Sequence, residues 1–103
     1  MYIVPRLLAH GYTRSVQAGA TETIDLPRRR GACYLSLVGL QPTGSVALSD
    51  AAQQASTAVT GAAWPPVPVV IGPDVRQIRV ANPPASPVFT VYYSLYEVGD
   101  VEQ

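Results

Sequence analysis

The segment that most constrains the fold is 75–98, VRQIRVANPPASPVFTVYYSLYEV. Over 75–81 the side chains alternate, with Val75, Gln77 and Arg79 on one face and Arg76, Ile78 and Val80 on the other, the period of two that marks a strand. Pro83, Pro84 and Pro87 then stop a regular ladder, because each lacks an N–H donor and holds φ fixed. From 88 to 98 β-branched and aromatic residues dominate. Phe89, Val91, Tyr93, Leu95 and Glu97 share one face, and its apolar members make it the core face. Val88, Thr90, Tyr92, Ser94, Tyr96 and Val98 share the other. The segment reads as a long closing hairpin of a small all-β sandwich.

The rest of the chain repeats this rhythm of short apolar runs and turn signals. Residues 2–4 (YIV) read as a first short strand or an arm outside the domain, interrupted by Pro5. Residues 13–18 and 21–26 are short alternating runs around Gly19, and 27–31 (PRRRG) is a turn. The nearly continuous apolar run 32–40 reads as a central strand buried on both faces, with Gly39 a bulge or close approach. A turn at 41–44 leads into 45–49, where Val46 and Leu48 point inward. In 50–60, Asp50 and Gln53 fit a helix cap and its return partner, while Ser56, Thr57, Val59 and Thr60 favour extended structure. One helical turn followed by a loop or edge strand reconciles the two. The stretch 64–68 (WPPVP) reads as an extended, polyproline-like edge, and 69–71 resumes a strand before the turn at 72–74. The expected fold is all-β: a small antiparallel sandwich or jelly roll of seven or eight short strands, with at most one short helical turn. Residues 1–12 form an N-terminal arm or first edge strand, and 13–103 a single domain.

Composition bears on what such a sandwich does. At 103 residues the chain suits one domain, which buries about two-thirds of its extended surface. Charged residues make up 14%, against a usual share of about 25%. A domain so poor in charge either tolerates low solubility or covers part of its surface with a partner. Seven cations, all arginine, balance seven anions. They divide as +3 over residues 1–49 and −3 over 50–103, a dipole that vanishes if the two halves interleave. The start MYIVPRLLAHG lacks the pattern of a signal peptide, and no apolar tract is long enough to span a bilayer. Synthesis in a reducing cytoplasm is expected.

Candidate chemistry is sparse. His10 is the lone histidine and Cys33 the lone cysteine. No nucleophile elbow, phosphate loop, paired carboxylates or metal-ligand spacing accompanies them, so no enzyme, cofactor or metal is expected. Cys33 reads as a buried, inert thiol. Arg28, Arg29 and Arg30 read first as a solvated turn and second as a contact for an acidic partner. Nucleic-acid binding ordinarily brings a broader basic footprint. Tyr92 and Tyr96 either lie on an outer face, where they would mark a partner or sugar surface, or belong to a central strand covered on both faces. Trp64 beside Pro65 and Pro66 plugs one end of the sandwich or stacks on a glycan.

In its general layout, with an apolar N-terminal arm (1–8), many short strands and a closing segment IRVANP…PVFTVYYSLY (78–96), the chain resembles the small β-sandwich virion proteins of tailed bacteriophages. These are capsid decoration (cement) and head-associated proteins. The resemblance implies a non-enzymatic protein on the capsid surface, often a homotrimer, that clamps coat subunits, with the major capsid protein or another virion protein as partner. Neither nucleic acid nor membrane is implied. Tyr2, Ile3 and Val4 of the arm would reach a neighbour by strand addition. The other reading is a carbohydrate- or peptide-binding β-module of a fibre or tail, using Tyr92, Tyr96 and Trp64 as a stacking platform.

Overall fold

The computed structural model describes residues 2–52 and 54–101, with side chains described for 6–52 and 54–97. It is all-β. Eight strands run in chain order: β1 Tyr2–Tyr12, β2 Thr21–Asp25, β3 Cys33–Val38, β4 Ser45–Asp50, β5 Val59–Thr60, β6 Val69–Ile71, β7 Val75–Ala81 and β8 Tyr92–Val101. They form two four-stranded antiparallel sheets, β1-β8-β3-β6 and β2-β7-β4-β5. Every connection except β4–β5 crosses from one sheet to the other, which is the winding of a jelly roll.

That winding corrects the expected closing hairpin. β7 and β8 lie in different sheets, and each pairs instead with an N-terminal strand: β7 with β2, β8 with β1. The proline-rich crossing from β7 to β8 runs antiparallel beside the crossing from β1 to β2. Val16 bridges Phe89, and the Thr13 N–H donates to the Val91 carbonyl at 2.9 Å. Thr13 Oγ1 in turn accepts from the Val91 N–H at 3.1 Å. Asn82 completes the seam. Its Nδ2 donates to the carbonyls of Val16 (3.0 Å) and Pro87 (3.1 Å), while its backbone exchanges hydrogen bonds with Gly19 and Ala20. A proline loop without donors cannot extend a ladder, but as an arch between layers it has only to be pinned at its ends. The run at 13–18 is therefore part of this corner, its ladder reduced to the Val16 bridge.

The core fills the space between the sheets. Ile24, Leu26, Val46, Ile78 and Val80 come from one layer, Cys33, Leu35, Ile71 and Leu95 from the other, and Val16, Phe89 and Val91 from the corner. Leu35, Ile78 and Leu95 are completely buried, each contributing about 1.5–3 kcal/mol of transfer free energy. Gly39, at φ +93°, ends β3 where any Cβ would run into the Thr90 carbonyl oxygen.

Other expectations change in detail. Pro5 does not interrupt β1, which continues to Tyr12 because an outermost strand tolerates a missing donor. β3 is buried on one face only: Cys33 and Leu35 face the core, whereas Tyr34 and Val38 are exposed. Among the described residues no helical turn follows Asp50. Asp50 Oδ1 accepts from the N–H groups of Ala52 (3.0 Å) and Gln54 (2.9 Å), a cap contact that closes a turn instead. Gln53 itself lies outside the described residues. The stretch 64–68 forms no strand, since Trp64 N–H turns back to the Thr60 carbonyl at 2.9 Å. Finally, each sheet draws strands from both halves of the sequence, so the two halves do not form separate layers.

Candidate docking surface

Register and pleat decide what lies on the outer face of the β1-β8-β3-β6 sheet. Directly paired residues project to the same side, so the face is built of rows that cross the strands. One row is Leu7, Tyr96, Tyr34 and Val70. The next is His10, Ser94 and Ser36, extended by Pro68 just before β6. The third is Tyr12, Tyr92 and Val38. A β-bulge between Leu7 and Ala9 re-phases β1, so that Ala9 and not Leu8 packs inward.

Two rows of large side chains thus flank a row whose centre is two serines, Ser94 and Ser36. Grooves occupy the resulting trough on either side of Tyr96. One of about 440 Å³ is lined by Tyr34, Ser36, Pro68 and Tyr96. The other, of about 550 Å³, is lined by His10, Tyr12, Tyr92 and Ser94 among others. The walls are substantially exposed: Tyr12 by 71%, Val70 by 64%, Val38 by 63% and Tyr92 by 54%. The rings of Tyr12 and Tyr92 lie 5.8 Å apart at 47°, a tilted pair that stiffens one wall. None of the three rows contains an arginine, aspartate or glutamate. The opposite face of the molecule is different in kind, with Thr21, Thr23, Asp25, Gln77, Arg79 and Ser45 along it. There Gln77 Nε2 donates to Asp25 Oδ1 at 2.9 Å.

Of the residues singled out from sequence, Tyr92 and Tyr96 share this face. Trp64 does not line its grooves; it packs against the core, as a plug does. The arginine run divides. Arg29 is half-buried, and its guanidinium donates to the carbonyls of Pro27 (2.9 Å), Gly72 (2.7 Å) and Val75 (2.6 Å), tying its loop to the β6–β7 turn. Arg28 and Arg30 are exposed. Tyr2, Ile3 and Val4 pair through their backbones with Val101, Asp100 and Gly99 of β8 in the same chain, and their side chains lie outside the described set. Sequence reasoning missed Leu7, Tyr12, Tyr34, Val38 and Val70. Alternation alone could have placed Tyr34 with Val38, but joining them to Tyr92 and Tyr96 required the strand order.

Acid–base chemistry finds little to work with. His10 stands opposite Ser94 across the β1–β8 pair, exposed, and neither side chain is hydrogen-bonded among the described residues. No carboxylate lies in the rows to orient the imidazole, as a hydrolytic triad requires. No cluster of three or more potential metal ligands occurs among the described residues. Comparison with protein-family models, curated proteins and solved structures returned no match.

Proposed function

We propose that this chain is a non-enzymatic virion structural protein, a decoration or cement protein that stabilises coat subunits on a phage capsid as a homo-oligomer. The observation that carries the reading is the three described rows on the outer face of the β1-β8-β3-β6 sheet: aromatic, uncharged and open. A contiguous apolar patch of this kind on a small domain is the physical signature of a surface meant to be covered, and tyrosine is the side chain enriched where proteins dock. The fold alone does not supply function, but jelly rolls are a recurrent architecture of capsid proteins.

The test is co-sedimentation of the purified chain with heads assembled from the coat protein encoded alongside it, with head melting measured in parallel. Saturable binding and a raised melting temperature are expected. Heads that neither bind the chain nor gain stability would refute the reading.

A second reading, a carbohydrate- or peptide-binding module, draws support from the trough itself, with tyrosine walls and a serine floor. It makes Tyr96→Ala the informative variant in a glycan array, and Trp64→Ala a control for folding. An array without hits would eliminate the sugar form of this reading.

A further inference from the structure

We propose that the occupant of this face is a second copy of the chain, packed sheet to sheet about a two-fold axis. The inference rests on the docking reading above and names its first partner. Three observations converge on it.

The first is shape. Two large-residue rows border the row centred on Ser94 and Ser36, with successive rows two residues, or about 7 Å, apart along the strands. Turned over about an axis along the rows, a second copy sets its Leu7/Tyr96/Tyr34/Val70 row against the first copy's Tyr12/Tyr92/Val38 row, and the converse, with the two His10/Ser94/Ser36 rows facing each other between them. This reciprocity is what an isologous interface requires. Stacked sheets lie about 10 Å apart, a spacing that the two facing sets of side chains fill.

The second is area and charge. With a whole tyrosine counted at roughly 200 Å², the exposed parts of Leu7, Tyr12, Tyr34, Val38, Val70 and Tyr92 amount to on the order of 600 Å². Stable complexes bury about 800 Å² per partner, and the serines, His10, Pro68 and Tyr96 supply the remainder. Like faces meet here without like charges, because the rows hold none. Leu7, Val38 and Val70 also separate the candidates: aliphatic side chains gain by burial against protein and little against the hydroxyls of a sugar.

The third is the protection of the sheet edges. β1 carries Pro5 and a bulge, β6 has three residues and β5 two, all devices that discourage edge-to-edge pairing. For this sheet, whose edges are β1 and β6, face packing is the association left open.

Sedimentation velocity of the full chain over 1–200 µM tests this. The variants are Tyr92→Arg and Val70→Arg, with Thr23→Arg on the opposite face as control. Trp64 packs in the core, so its emission reports folding of each variant. The wild type and Thr23→Arg are expected at twice the 10.9 kDa chain mass, and each face variant is expected to weaken association at least tenfold while remaining folded. A wild type that is monomeric at 200 µM overturns the inference; if that monomer still binds heads, the docking reading survives without it. Association unaffected by both face variants overturns it also, as does a species of three copies or binding of a neutral glycan in the trough.

Discussion

Asn82 offers the sharpest test of how the two layers are joined. It is 97% buried, with 3% of its surface exposed, and its Nδ2 serves two carbonyls, Val16 and Pro87, on the two crossings that form the corner. The orientation of the amide is fixed by that demand: two acceptors face one NH₂ group, while Oδ1 has no partner. Asn82→Ala removes two hydrogen bonds, each with a net contribution of about 1 kcal/mol, and leaves buried carbonyls unpaired at a further cost. The expected loss is about 2–4 kcal/mol. Against a total of about 5–15 kcal/mol for a domain, and at about 4–8 °C per kcal/mol for chains of this size, the melting temperature should fall by roughly 10–25 °C. Urea denaturation followed by Trp64 fluorescence measures the first figure and calorimetry the second.

Asn82→Asp adds a pH signature to the same site. Its carboxylate would turn an oxygen toward two carbonyl oxygens in a buried place, so the folded-state pKa is raised above the unfolded value. Stability is then retained below the unfolded carboxyl range, about 4, and lost as pH rises through the folded-state value. The gap between Asn82→Asp and wild type should narrow on acidification. An Asn82→Ala cost under 0.5 kcal/mol, or an Asn82→Asp penalty independent of pH, would refute the account of the corner.

Further expectations follow from single contacts. Arg29→Ala should cost about 1.5–3 kcal/mol in chemical denaturation, because its guanidinium serves three backbone carbonyls. Arg28→Ala and Arg30→Ala should each stay within about 0.5 kcal/mol of wild type; equal effects at all three would contradict the division of labour. Gly39→Ala should cost about 2–4 kcal/mol, since it combines a positive φ with a collision at the Thr90 carbonyl, and a neutral result would mean that the β3 turn is misplaced. Cys33, 3% exposed, should react with a thiol reagent only as fast as the protein opens. Rapid labelling under native conditions would show the sandwich open at that edge.

Much of the fold was legible in the sequence because a period of two reports directly which side chains share a face. The alternation over 75–81 grouped Ile78 with Val80, both of which are buried, and that over 88–98 put Phe89, Val91 and Leu95 inside and Tyr92 on the other face. Alternation does not report which strand lies alongside, and here the reading of 75–98 failed: two runs joined by a short loop look like a hairpin whether the loop turns within one sheet or arches between two. The contacts that decide the matter join residues more than 60 positions apart: Asn82 Nδ2 donates to the Val16 carbonyl, and Thr13 Oγ1 accepts from the Val91 N–H. Arg29 was hidden for the same reason, since a guanidinium that grips Gly72 and Val75 looks identical in sequence to its solvated neighbours.

The reading of 32–40 as buried on both faces has a further physical meaning. Apolarity in sequence measures the wish to leave water, not the means by which the chain achieves it. Cys33 and Leu35 achieve it within the fold; Tyr34 and Val38 do not, and remain in solvent. The same holds for Tyr92 across the β3–β8 pair and for Val70 across the β3–β6 pair. Asp25 and Arg79 sit along the opposite face, while three rows on this one carry no formally charged acid or arginine. A sheet with two apolar faces belongs between two layers. One layer is the β2-β7-β4-β5 sheet of the same chain, and the proposed second copy would supply the other.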